Sequence, residues 1–148
     1  MKFDRMEASG IPIFGDTSFR GDCPTESVEQ ITFFSWLRRE YPDTWGALAL
    51  HPRNEGQLRG GQFRTMSRAK AEGLTPGASD VVIPGLPAFV CEMKRADHTR
   101  STWQKGQVEY LIAAKNAGAF ACLALGHKGA IDAVRCWLLH MEQAQKTD

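Results

Sequence analysis

Asp80, Glu92 and Lys94 form an Asp-x11-Glu-x-Lys spacing that phosphodiester hydrolysis could use. Carboxylates converging within about 5 Å repel, and one takes up a proton unless a cation neutralises them. Mg²⁺ or Mn²⁺ meets that need with hard oxygen ligands and leaves positions for water and a phosphate oxygen. Such a cation acidifies bound water and stabilises charge on phosphorus. A lysine on the same face can orient the attacking water and offset the developing negative charge. Glu and Lys two apart on a strand also occur as an ordinary exposed ion pair, so placement decides. Here Glu92 and Lys94 end the apolar run AFVC, and Asp80 follows the tight turn LTPGAS.

The elements that must bring these groups together are legible in the pattern. LTPGASDVVIPGLPAFVCEMKRAD predicts an antiparallel hairpin with strands over 80–83 and 88–94. Alternation puts Glu92 and Lys94 on the side of Val90. A turn over 84–87 sets Asp80 opposite Cys91, one step from Glu92, and cross-strand neighbours lie about 4.5 to 5.5 Å apart. Upstream, Thr25 is an N-cap for the helix ESVEQITFFSWLRREY, which Pro42 stops. Glu26, Gln30, Phe33 and Leu37 share one stripe of it, so the face that buries Phe33 and Leu37 turns Glu26 toward the interior or its rim. WGALALH reads as a short strand, PRNEGQLRGGQ as a glycine-broken loop, and FRTMSRAKAEG as a short basic helix closed by Gly73. Beyond an arginine-rich loop come a helix in TWQKGQVEYLIAAKNAG and a strand in AFACLALG, a right-handed βαβ crossover with the second hairpin strand. The helix AIDAVRCWLLHMEQ then buries Ile131, Val134, Leu138 and Met141. The order α, β, (α), β, β, α, β, α gives an α/β fold, a mixed central sheet flanked by helices. Residues 1–22, rich in Gly, Pro and Asp, read as an irregular arm before a single domain over 23–148.

Composition agrees with one compact domain: 148 residues, 16.4 kDa, 43% hydrophobic and 24% charged. Cys23, Cys91, Cys122 and Cys136 show no CxxC spacing, which argues against structural zinc and for a reducing cytoplasm. No apolar leader or run near 18 apolar residues is present, so neither a secretion signal nor a membrane span is expected. The net charge of +1 hides an uneven distribution. Residues 44–105 carry nine basic and five acidic side chains, whereas residues 1–43 carry five and eight. A basic middle third suits a phosphate-facing surface. The four histidines form no triad or HExxH set, although His98 in the basic loop is placed to touch a phosphate. Trp36, Trp45 and Trp137 read as core or interface anchors, while Trp103, between Arg100 and Lys105, could stack on a base.

In order and spacing these segments resemble the VRR-Nuc branch of the PD-(D/E)XK nucleases. The family's helix Glu followed by Gln is matched by ESVEQ (Glu26, Gln30) and its P-N-E/G-G loop by PRNEG (Asn54, Glu55, Gly56). Its Lys-Ala-x-Gly-x-x-x-Gly-x-x-Asp run is matched by KAEGLTPGASD (Lys70 to Asp80), and its Glu-x-Lys by EMK. A later Gln is matched by Gln107, with Tyr110 at the family's bulky position three residues on. The match spans residues 25 to about 125, and KAEGLTPGASD followed by EMKR is its specific part.

The resemblance implies a restriction-endonuclease-like PD-(D/E)XK core and a metal-dependent DNA endonuclease using Mg²⁺ or Mn²⁺. Asp80 and Glu92 would bind the metal with the Met93 carbonyl, Lys94 would be the catalytic lysine, Glu26 would complete the metal site and Gln107 would support it. Glu29 competes with Glu26, and Gln104 with Gln107. DNA contacts are expected from Arg53, Asn54, Arg59, Arg64, Lys70, Arg95, Arg100 and Lys105. Stand-alone domains of this kind resemble phage or prophage junction-resolving enzymes, which implies a homodimer on branched or four-way-junction DNA; the N-terminal arm, with apolar Ile11, Ile13 and Phe14, is a candidate for packing across its axis, the alternative being a disordered tail. The alternatives are a nickase or repair nuclease delivered by a partner protein, and a DNA-binding module that does not cleave.

Overall fold

The computed structural model describes residues 2–52 and 63–146, the side chains of 63–66 excepted. Its elements run α1 (Lys2–Ala8), β1 (Ile13–Phe14), α2 (Glu26–Glu40), α3 (Trp45–Leu48), α4 (Phe63–Ala71), β2 (Val81–Ile83), β3 (Phe89–Lys94), α5 (Gln107–Asn116), β4 (Phe120–Leu125) and α6 (Gly126–Lys146). The strands form one mixed sheet in the order β1-β4-β3-β2, parallel except for the antiparallel β2–β3 pair. No described helix is long and apolar enough to cross a membrane.

Strand alternation divides the core into two layers. Phe89, Cys91 and Met93 of β3, with Cys122 and Ala124 of β4, pack against Phe33 and Leu37 of α2 and Val134 and Trp137 of α6. Val90, Ala121, Leu123 and Leu125 face the other way, onto Val108 and Leu111 of α5 and Met6 of α1. The result is a three-layer α/β/α arrangement, as the βαβ pattern requires. β3 is buried along its whole length, and Glu92 and Lys94 point with Val90 into the α5 layer.

Three expectations are corrected. Residues 1–22 are not wholly irregular: Ile13–Phe14 pair in parallel with β4, and Met6 and Ile11 are buried. A two-residue strand has too little alternation to be read from sequence. WGALALH is not a strand but a helical turn, because the Ala47 and Leu48 amides both bond to the Thr44 carbonyl; Leu50 pairs with the sheet in an isolated bridge to Val82. The hairpin turn is one residue longer than 84–87. Ile83 pairs with Phe89 and Val81 with Cys91, because Ala88 turns its carbonyl to the Phe120 amide of β4. Continued one residue, that register sets Asp80 across from Glu92 rather than Cys91.

Candidate active site

Glu92 and Lys94, each about 1% exposed, end a central strand where no burial argument favours charge. Both are held by Gln107, the first residue of α5. Its Oε1 accepts from Lys94 Nζ at 3.0 Å and from the Gln104 amide at 2.9 Å, while its Nε2 donates to Glu92 Oε1 at 2.9 Å. Lys94 Nζ also donates to the Thr102 carbonyl at 2.8 Å and lies 3.5 Å from Glu92 Oε1. A buried ammonium needs such partners, because desolvating it otherwise costs several kcal/mol, to order of magnitude.

Asp80 enters from the other strand of the hairpin. Its Oδ2 accepts at 2.9 Å from the amide of Met93, the residue between Glu92 and Lys94. The N–H and C=O of one strand residue point to the same side, so the Met93 carbonyl also faces Asp80. Burial, and then the Asp80 charge, push the Glu92 carboxyl well above the usual carboxylate range; Lys94 opposes this only in part. The loop bearing Asp80 is fixed by close backbone contact. Gly77 (φ +79°) lies against Gly106 (φ +93°), and a Cβ on Gly77 would come within 2.3 Å of the Gly106 carbonyl carbon. The motif glycine thus docks the Asp80 loop onto the start of α5, which carries Gln107.

Glu26, at the exposed rim, reaches in from the first turn of α2. Its Oε1 lies 4.0 Å from Lys94 Nζ. Glu29 faces elsewhere: it is buried at the N-terminus of α6, accepting from the His127 amide and sitting 3.2 Å from His127 Nδ1. A carboxylate is favoured at that positive helix end. Gln104 offers the site only its backbone, its side-chain oxygen lacking a partner.

Other expected contacts fall differently. Arg53, Asn54 and Arg59 lie outside the described residues, as does the side chain of Arg64. Lys70 and Lys105 are exposed. Arg95 and Arg100 turn onto the chain itself: Arg95 donates to the carbonyls of Pro24 and Cys23, and Arg100 sits between Asp22 and Asp97. Asp97 accepts from Thr99 and the Gly21 amide, bonds that hold its carboxyl far below the usual range. His98 Nε2 lies 3.1 Å from the Thr17 carbonyl. Trp103 is not a free platform, because its ring lies 4.4 Å from Lys94 Nζ and meets Phe3 edge-on.

Sequence reasoning misses three supports. The Thr102 carbonyl and the Trp103 ring cage Lys94, and His51 Nδ1 donates to the Asp80 carbonyl at 2.8 Å. Only the position of Trp103 after the arginine-rich loop carries a signal, and by its basic neighbours that signal points to base stacking.

The donor set fits a hard divalent cation. Glu92 Oε2 and Glu26 Oε1 are buried without hydrogen-bond partners, and Asp80, Glu92 and the Met93 carbonyl offer oxygen only. Among the described residues no three His, Cys, Asp or Glu side chains converge as a metal cage. Mg²⁺ is commonly held by one or two carboxylates with water and substrate phosphate.

No family model matches the chain, and no curated protein matches it in sequence. Among solved structures, one described as a VRR_NUC domain protein superposes with a TM-score of 0.60 at 19% identity, covering 79% of this chain and 88% of that one. With its mixed sheet and flanking helices, the chain shares the fold of that VRR_NUC domain protein.

Proposed function

We propose that this protein is a divalent-metal-dependent DNA endonuclease. The observation that carries the reading is the buried chain Lys94–Gln107–Glu92 facing Asp80, with carboxylate oxygens left unpartnered beside it. Such an arrangement stabilises the fold poorly, since replacing buried ion pairs by apolar groups is often neutral or favourable. It suits a site that must neutralise charge on a phosphate. Asp80, Glu92 and the Met93 carbonyl would hold the cation, with Glu26 at its open side. The cation would acidify water and offset charge on phosphorus. Lys94, fixed by Thr102 and Gln107, directs its remaining N–H toward the carboxylates, where it can orient water and stabilise the phosphorane-like transition state. Gln107 keeps Lys94 and Glu92 in register. The net reaction is hydrolysis: a water oxygen bonds to phosphorus, one P–O ester bond breaks, and the departing oxygen takes up a proton.

Lys70 and Lys105, with Arg53, Asn54, Arg59 and Arg64, would supply the phosphate contacts. Four-way-junction DNA is the favoured substrate, cut by a homodimer, because one core carries one site and a junction needs two symmetric incisions. Met6 and Ile11 are buried in this core and Ile13–Phe14 pair with β4, so a dimer axis would draw on the exposed residues of the N-terminal segment. A reducing compartment suits the free thiols, the host cytoplasm if the chain is phage-encoded. The test is cleavage of four-way-junction, flap, single-stranded and linear duplex DNA with and without Mg²⁺ or Mn²⁺. Metal-dependent cutting supports the reading, and binding without cutting of any substrate would favour a non-cleaving module. Preference for flaps or nicked duplex would favour a repair nuclease delivered by a partner.

A further inference from the structure

Lys94 and Glu26 belong to elements far apart in the chain, yet their charged ends lie 4.0 Å apart. Something must fix the first turn of α2 relative to the end of β3. The large buried side chains of α2, Phe33, Phe34 and Leu37, lie about two turns further on, and Glu29 ties the first turn to the start of α6 rather than to β3. Arg95, directly after Lys94, supplies a direct link to β3. Its backbone amide donates to Ser101 Oγ at 2.8 Å, which pins its own main chain. Its Nε donates to the Pro24 carbonyl at 3.0 Å and one terminal nitrogen to the Cys23 carbonyl at 2.7 Å. Those carbonyls immediately precede Thr25, whose hydroxyl caps α2 by accepting from the Val28 amide, and Glu26 is the first helical residue. A closed circuit results: Lys94, Arg95, the carbonyls of 23 and 24, the helix cap, Glu26, and back to Lys94.

We infer that Arg95 is a positioning residue of the site, linking the start of α2 to the end of β3 so that Glu26 faces Lys94 and Glu92. This rests on the nuclease reading for its catalytic consequence, but not for its structural content. The guanidinium suits the task because its planar fork can bond two successive carbonyls at once, which a lysine does without fixed geometry. It also reassigns a residue whose place in a basic run suggested a phosphate contact, since two of its donors already serve the protein's own backbone.

The test uses the full chain as wild type, Arg95→Ala, Arg95→Lys, Glu26→Gln and the double variant Arg95→Ala/Glu26→Gln. Hydrogen exchange at the Val28 and Glu29 amides should accelerate in Arg95→Ala, less so in Arg95→Lys, with β3 and β4 unchanged. kcat should fall about 10- to 100-fold in Arg95→Ala, the scale expected when a reacting group is displaced by about 1 Å, with partial rescue in Arg95→Lys. DNA affinity in Ca²⁺ and its salt slope should stay at wild-type values. In the Glu26→Gln background the Arg95→Ala loss should vanish, since coupled residues are non-additive. Unchanged exchange, or an additive loss in the double variant, overturns the proposal. So does a salt slope reduced by about one with kcat intact, the signature of a phosphate contact. If the wild type cuts no DNA at all, the nuclease reading falls, and the exchange data alone decide whether Arg95 holds the helix.

Discussion

Replacing Gln107 by Leu should injure the fold and the chemistry together, whereas the same change at Gln104 should do little. Gln107 makes three hydrogen bonds, to Lys94, to Glu92 and to the Gln104 amide. Bonds to charged partners contribute about 1.5–3 kcal/mol each and a neutral one about 1, a gross loss near 4–7 kcal/mol. Leucine fills the space and the freed groups relax in part, so about 3–5 kcal/mol is expected, a large share of a total stability of roughly 5–15. For a domain of this length that corresponds to a melting point lower by about 6–20 °C. Thermal melts without metal, at neutral pH, give the first measurement. Cleavage at a temperature where both variants remain folded gives the second, and there kcat should fall about 10- to 100-fold as Lys94 loses its fixed direction. Gln104→Leu keeps the backbone amide that Gln107 uses, so it should melt and cut nearly as the parent does. A Gln107→Leu protein with parental melting and cleavage, or a Gln104→Leu protein as damaged as Gln107→Leu, would refute the reasoning.

Lys94→Ala and Asp80→Asn should each lower kcat by about 10² or more, since one preorganised charge contributes about 2.7–4 kcal/mol in a transition state; a binding assay should find affinity within a few fold, and retained cleavage in both variants contradicts the assignment. Glu26→Gln should impair cleavage at saturating metal while Glu29→Gln should lower the melting point and spare kcat, so the reverse pattern would exchange the two roles. Because the Glu92 carboxyl is raised in the folded state, the native protein binds a proton that the unfolded chain has released. Metal-free stability should therefore fall as pH rises from the unfolded carboxyl value of about 4.3 through the raised folded value. Melts between about pH 4.5 and 8 should show this decline, reduced by Mn²⁺ and absent in Glu92→Gln; that range lies above the window in which Asp97, shifted the other way, loses its contribution. Mg²⁺ or Mn²⁺ should support cutting and Ca²⁺ binding alone, with affinity falling steeply between about 50 and 200 mM salt; salt-insensitive binding argues against DNA. Deleting residues 1–14 should remove β1 and the buried Met6 and Ile11, so circular dichroism should report a destabilised chain rather than a folded monomer.

The readable parts of this molecule are those governed by local periodicity or by spacing within one hairpin. The helices α2, α5 and α6 follow from the 3.6-residue repeat, although α6 buries Ala130, Ala133, Val134 and Trp137 and only half-buries Ile131, Leu138 and Met141, and the placement of Glu92 and Lys94 with Val90 follows from the two-residue repeat. The hairpin register slips by one because it depends on where the Ala88 carbonyl goes, and that is decided by β4, thirty residues later. WGALALH has strand-like composition, but Trp45 packs its ring on Trp137 of α6, a contact no local pattern encodes. The choices between Glu26 and Glu29, and between Gln104 and Gln107, are open in sequence for the same reason. Glu26 and Glu29 share the first turn of α2, and Gln104 lies in the loop three residues before Gln107; only the distant partners, Lys94 and His127, distinguish the members of each pair. Charge in sequence likewise says nothing of direction: Arg95 and Arg100 belong to the basic middle third, yet both turn inward onto the segment 22–24.

The backbone contact between Gly77 and Gly106 bears on how a mutational survey of this chain would look. Any side chain at Gly77 collides with the main chain of the neighbouring loop, so the loop carrying Asp80 would have to part from the start of α5. In a saturation scan Gly77 should therefore be as intolerant as Asp80 or Lys94, although it has no atom able to take part in catalysis. Gly73, the preceding glycine of the same motif, also has positive φ (+109°), but a Cβ there would meet nothing within 4 Å. A substitution there meets only the backbone strain of that positive φ and no collision. Of two glycines four residues apart, Gly73 should thus be the milder and Gly77 the harsher, and sensitivity to substitution will mark the joints of this site as strongly as its reacting groups.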